Sequence, residues 1–261
     1  MKPFMILILM SMVFQPAVTL ATDATEIVKK SQTAFFEAGK DFQARVKMTL
    51  TTREGLQRVR ELTMLRKNYP AGEQKYFTYF HNPADVAGTT FMVNKYPNRD
   101  DDRWLFIPAI NRVNRIAARD SRSSFVGSDF TYEDVSGRDL AADAHGLLRE
   151  APLNDRRVYI VESVPKTAAE YSRKLAWVDQ ATFLPLKEEY YDVQGALYKV
   201  FTADDVREIQ GFPTATKRTM ANVKTGHKTE VVFERIQYNV GIGDDLFSER
   251  YLRKPPERWI K

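Results

Sequence analysis

From residue 44 the chain alternates. Ala44, Val46, Met48 and Leu50 are apolar, and Arg45, Lys47 and Thr49 between them are polar. A period of two puts one set on each face of a strand, so this segment is a half-buried strand with one wetted face. The Glu54-Gly55 pair turns the chain, and residues 56–66 run back to complete a hairpin. Further strands are predicted over residues 75–81, 89–96, 103–107, 157–164, 171–179, 185–192, 196–203, 214–223 and 228–238. Turn pairs such as Asn82-Pro83, Asn154-Asp155, Gln194-Gly195 and Thr225-Gly226 separate most of them. About eleven strands in up-and-down order predict a mainly β protein built on one large, strongly curved antiparallel sheet.

Two stretches leave this pattern. Asp23 followed by Glu26 reads as a capping box, and Ile27, Val28, Ser31, Ala34, Phe35 and Ala38 recur at helical spacing as far as Gly39. One amphipathic helix therefore precedes the sheet. Residues 110–148 are long for a loop in a compact domain, and such insertions tend to be lids or binding segments. Arg112, Arg115, Arg119 and Arg122 recur there at three and four residues. On a helix they would share one face, either solvated or a docking surface for carboxylate or phosphate groups. Phe125, Phe130 and Tyr132 follow, and they read as a lid whose aromatic rings cover apolar surface. Phe130 as plain core is the alternative.

Composition narrows the setting. Residues 1–21 hold one lysine, an apolar core from Phe4 to Phe14, Pro16 and small residues before Ala21, which is the pattern of a secretory signal peptide. Cleavage is expected after Ala21, with Ala24 as the alternative. Residues 22–261 then form a single domain of about 240 residues, enough for a real core and without a low-complexity linker. No later segment has 18 uninterrupted apolar residues. The chain has no cysteine, which removes lipid modification at cysteine, disulfides and thiolate metal sites together. A free bacterial periplasmic protein is the simplest location. The formal charge of +5 becomes +4 once Lys2 leaves with the leader, too modest an excess to name a partner. Secretion makes nucleic acid the least expected anion for the arginines.

No catalytic residue, metal or cofactor is expected. Asp100, Asp101 and Asp102 read as a hairpin turn, since neighbouring residues cannot all point at one ion. His81, His145 and His227 lack the paired spacing of a zinc motif. Gly127-Ser128-Asp129 is not the Gly-x-Ser-x-Gly elbow of a hydrolase. The aromatic excess is more informative. Phe77, Tyr79, Phe91, Trp104, Phe106 and Trp177 are spread over the strands. In a closed sandwich they would be core; in a half-closed sheet they would line a cavity for an apolar ligand.

Several ordered blocks carry a family resemblance. They are Asn82-Pro83-Ala84-Asp85-Val86-Ala87-Gly88-Thr89-Thr90-Phe91, Trp104-Leu105-Phe106-Ile107-Pro108-Ala109, Arg112-Val113-Asn114-Arg115-Ile116, Glu162-Ser163-Val164-Pro165-Lys166, Trp177-Val178-Asp179 and Glu189-Tyr190-Tyr191-Asp192. With them the chain resembles the LolA-like outer-membrane lipoprotein-sorting proteins. Gly127-Ser128-Asp129-Phe130-Thr131-Tyr132-Glu133-Asp134 resembles the branch that accompanies RND-type lipid exporters. The resemblance implies an unclosed antiparallel β-barrel with a helical lid, LolA/LolB-like, that carries a lipid or a lipoprotein acyl chain through the periplasm toward the outer membrane. The implied partners are that cargo and an inner-membrane RND-type exporter or an outer-membrane acceptor, which Arg112, Arg115, Arg119 and Arg122 would meet. The alternative is an adaptor subunit of the exporter that carries nothing itself.

Overall fold

The computed structural model describes residues 23–97, 99–167 and 169–260; the signal-peptide reading of residues 1–21 lies outside them. Thirteen strands form one antiparallel sheet among the described residues. In the first half these are β1 (Asp41–Thr51), β2 (Gln57–Asn68), β3 (Gln74–Asn82), β4 (Thr90–Lys95), β5 (Asp102–Ile107) and β6 (Arg112–Ile116). The second half holds β7 (Asp143–Leu153), β8 (Arg156–Pro165), β9 (Arg173–Asp179), β10 (Pro185–Tyr191), β11 (Leu197–Ile209), β12 (Phe212–Asn222) and β13 (Lys228–Tyr238). Their spatial order is β6-β5-β4-β3-β2-β1-β13-β12-β11-β10-β9-β8-β7. Thus β1 and β13 meet at the midline, with Val46 opposite Phe233, and β6 and β7 are the two free edges. Residues 117–142 join those edges, so the chain must cross from one side of the sheet to the other.

The two strands beyond the predicted eleven are the edge strands β6 and β7. Each has one neighbour, and most of its residues are half-buried or exposed, so the apolar alternation that reveals inner strands is weak there. The arginine spacing belongs to no helix. Arg112 and Arg115 lie on β6, Arg119 in a 3-10 turn (Ala118–Asp120) and Arg122 in the loop after it. Asp100 and Asp101 do lie in the turn between β4 and β5.

Helix α1 (Ala24–Phe36) is capped by Asp23, whose carboxylate accepts the Thr25 N–H at 2.9 Å. Its buried Ile27 and Ser31 face inward, and it lies across β7, β8 and β12 on one face of the sheet. That face also receives the crossing segment with its short helix α2 (Tyr132–Ser136), held by a full capping box between Thr131 and Asp134. The opposite face is covered by the chain after β13, including α3 (Glu249–Arg253) and α4 (Glu257–Ile260). There Leu246, Leu252 and Trp259 pack on Leu65, Phe77, Met92 and Phe106. Asp41 fixes the start of this C-terminal cover, its carboxylate accepting the N–H groups of Val240, Gly241 and Ile242 at 2.6, 3.0 and 3.0 Å. Strands β2 to β5 are therefore buried on both faces. Among the described residues no helix is long and apolar enough to cross a membrane.

Candidate functional site

The inner face of the sheet, α1 and the crossing segment enclose a cavity of about 170 Å³. At roughly 10–15 Å³ per water on that measure, it has room for on the order of ten water-sized groups. Its floor follows from strand register. Val46 on β1 stands opposite Leu62 on β2 and Phe233 on β13, and Met48 stands opposite Val231, so one phase of alternation carries across the midline and presents an apolar surface. All five residues line the cavity.

The crossing segment is the lid. Phe125 and Phe130 both line the cavity, and Phe125 anchors an aromatic cluster with ring centroids 5.9 Å from Phe80, 5.3 Å from Phe91 and 5.6 Å from Tyr132. Polar ties then fix the lid to three strands. Arg60 on β2 donates to the Val126 carbonyl. Thr229 on β13 donates to Asp129 at 2.7 Å, and His227 Nδ1 lies 2.6 Å from the same carboxylate. Lys199 on β11 meets Asp134 at 2.7 Å. Burial disfavours the Asp134 carboxylate, but Lys199 and the Thr131 hydrogen bonds outweigh it and hold this carboxyl below its ordinary range. Arg138 closes the lid's C-terminal end, 3.0 Å from Glu133 and 2.8 Å from Asp143. Ser128 spends its hydroxyl on the Phe125 and Phe130 carbonyls, at 2.8 and 3.3 Å. It shapes the lid.

The aromatic residues predicted for the cavity are placed otherwise. Phe77, Tyr79, Trp104 and Phe106 face the C-terminal cover on the outer side of the sheet. The reason is the pleat: their neighbours Tyr76, Phe80 and Leu105 take the inner side. Phe91 is on the inner side but sealed beneath Phe125 and Tyr132. Trp177 lies between Ala176 and Val178, which line the cavity, and so turns outward, where Lys187 sits 4.6 Å from its ring. Of the lid residues, Tyr132 is buried against Phe91 and Phe125 and lies off the lining. The arginines do not make one face. Arg112 and Arg115 alternate across β6, Arg115 pairs with Asp102, Arg119 lies beside Asp120, and Arg122 reaches the cavity lining. The lining that sequence reasoning missed includes Phe42, Met64, Met220 and the cations Arg66 and Arg218. The signal for the apolar part was the 44–50 alternation, which fixes the phase of the inner face.

A family model described as an uncharacterized protein matches residues 72–254. Among curated proteins nothing matches. Solved structures are similar over most of the chain. A Vibrio parahaemolyticus domain assigned to outer membrane lipoprotein sorting is 28% identical, with a TM-score of 0.82, covering 88% of this chain and 98% of its own. A DUF1329 family protein from Desulfovibrio piger is 27% identical, with a TM-score of 0.80 and coverage of 88% and 100%. A LolA superfamily protein from Nitrosomonas europaea, 21% identical with a TM-score of 0.70 and coverage of 88% and 100%, shares the fold. With the family model matching most of its length, the chain belongs to that family, and its unclosed, lidded sheet has the fold of a domain assigned to outer membrane lipoprotein sorting and of a LolA superfamily protein.

Proposed function

We propose that this protein is a periplasmic carrier that holds a lipid or lipoprotein acyl chain in the cavity and performs no chemical step. The observation that carries the reading is the apolar space kept between a curved sheet and a lid, in a fold shared with a lipoprotein-sorting domain. Each exposed CH₂ of an acyl chain costs about 0.8 kcal/mol in water, so a carrier has to bury most of the chain. The cavity beneath the seated lid suits one chain of modest length, and bulkier cargo requires the lid to lift. Lifting exchanges lid–sheet contact for cargo–sheet contact, a small net difference that keeps loading reversible. An inner-membrane RND-type exporter as donor and an outer-membrane acceptor are the partners of this reading, with exposed Arg112 and Arg119 available to an acidic surface.

Mass spectrometry of organic extracts from the mature protein, purified from its native periplasm without detergent, tests the reading. A stoichiometric lipid is expected and would name the cargo. An empty protein that also refuses fluorescent fatty acids would overturn the carrier and favour the adaptor.

A further inference from the structure

Three cations on the cavity lining have acids beside them: Lys174 is 2.7 Å from Glu188, Lys199 is 2.7 Å from Asp134, and Arg138 meets Glu133 and Asp143. Arg66 and Arg218 also line the cavity, and neither is ion-paired among the described residues. They stand on aromatic rings instead. The Arg66 guanidinium lies 5.2 Å from the Phe42 ring, and that of Arg218 lies 4.1 Å from Phe35 and 4.3 Å from Phe233. Phe42 and Phe233 are themselves neighbours at 6.3 Å, so both arginines share one aromatic floor. Arg66 donates to the Ala38 carbonyl and Arg218 to the Ala215 carbonyl, while Arg66 Nε is buried without a hydrogen-bond partner. The nearby phenols are engaged elsewhere, Tyr76 with Gln74 and Tyr238 with Thr214.

Two like charges over one aromatic floor, in a largely apolar enclosure, are costly unless an anion joins them. Burial pushes Arg218 down to about 9, and the Arg66 charge adds to the fall, yet both guanidiniums stay protonated at neutral pH. A planar guanidinium is the side chain best matched to a carboxylate or phosphate. The geometry points to a headgroup site in which Arg66 and Arg218 together bind the carboxylate or phosphate of a single-chain anionic amphiphile, with its tail along Leu62, Val46 and Met48 toward Phe125. This site rests on the carrier reading and adds to it the charge and orientation of the ligand.

The test compares cis-parinaric acid with its methyl ester, which share a tail and differ in charge, by fluorescence titration of the mature protein. The acid is expected to bind at least about tenfold more tightly than the ester. Arg66→Gln with Arg218→Gln should erase that preference, bringing the affinity for the acid down to that for the ester. Arg218→Gln alone should reduce it if the double variant does not fold. Displacement by oleate or by 1-oleoyl lysophosphatidate then shows whether carboxylate or phosphate fits better, and either competitor acting more tightly than methyl oleate supports the site. Equal binding of acid and ester by the unaltered protein would overturn the headgroup site while leaving the carrier intact. Binding of neither probe would overturn both.

Discussion

His81 projects from β3 on the outer side of the sheet, where Arg45 donates to its Nε2 and Thr63 Oγ1 lies 2.9 Å away. Burial pushes its pKa down to about 4, the Arg45 charge adds to this, and Glu61 opposes it. Because the folded value lies below the ordinary 6.5, the unfolded chain binds the extra proton first. The stability contributed by neutral His81 is complete above pH 6.5 and is lost as the pH falls toward 4. Arg45 also donates to the Ile260 carbonyl at 3.2 Å, so a charged imidazole beside it loosens the C-terminal cover. Urea unfolding between pH 7 and pH 4 should show a shallower loss of stability for His81→Gln than for the unaltered protein; parallel curves would refute this account. At the same scale, the six aromatic residues chosen for the cavity show what residue type conceals. A bulky ring on a strand signals burial but not the side, and β3 to β5 are buried on both sides by unrelated parts of the chain. The 44–50 hairpin strand does reveal its side, because its outer positions Arg45, Lys47 and Thr49 are polar. Carrying that phase through register, from Val46 to Leu62 to Phe80, assigns Phe77 to the outer side.

Elements inside the sheet were legible because each has two neighbours and buries at least one face, which marks it with apolar residues. The edge strands were not, and Arg112 and Arg115 imitate a helical face because a spacing of three, which places them on opposite faces of β6, would place them on one face of a helix. The lid was legible as an interruption of strand pattern, whereas its attachments were not, since Arg60, Lys199 and Thr229 come from distant strands. Phe125 is nearly inaccessible, at 1% exposure, and joins the lid to Phe80 and Phe91. Phe125→Ala is expected to cost about 3–5 kcal/mol, the usual loss for a buried phenylalanine. Its amide-exchange signature is specific: residues 118–137 should exchange faster while β1 and β2 keep their protection. Uniform acceleration across the sheet would mean that the lid does not open as a separate unit.

For the whole molecule, function depends on keeping a space that packing would otherwise fill. Met64 is half-buried and lines that space, so Met64→Trp is expected to reduce fluorescent fatty-acid uptake by about tenfold or more, with an overpacking cost near 1–3 kcal/mol. Unchanged uptake in a folded variant would place the ligand elsewhere. The midline pairing has a different consequence, which concerns time. β1 finds its second neighbour only in β13, the last strand of the sheet, and closing so long a loop is slow. A chain emerging from its N-terminus therefore carries an unfinished eleven-residue edge, with Phe42, Val46 and Met48 uncovered, until almost its entire length has been made. Such an edge invites pairing with other chains. The demand on chaperones is thus set by the position of the final strand, and it persists until that strand arrives.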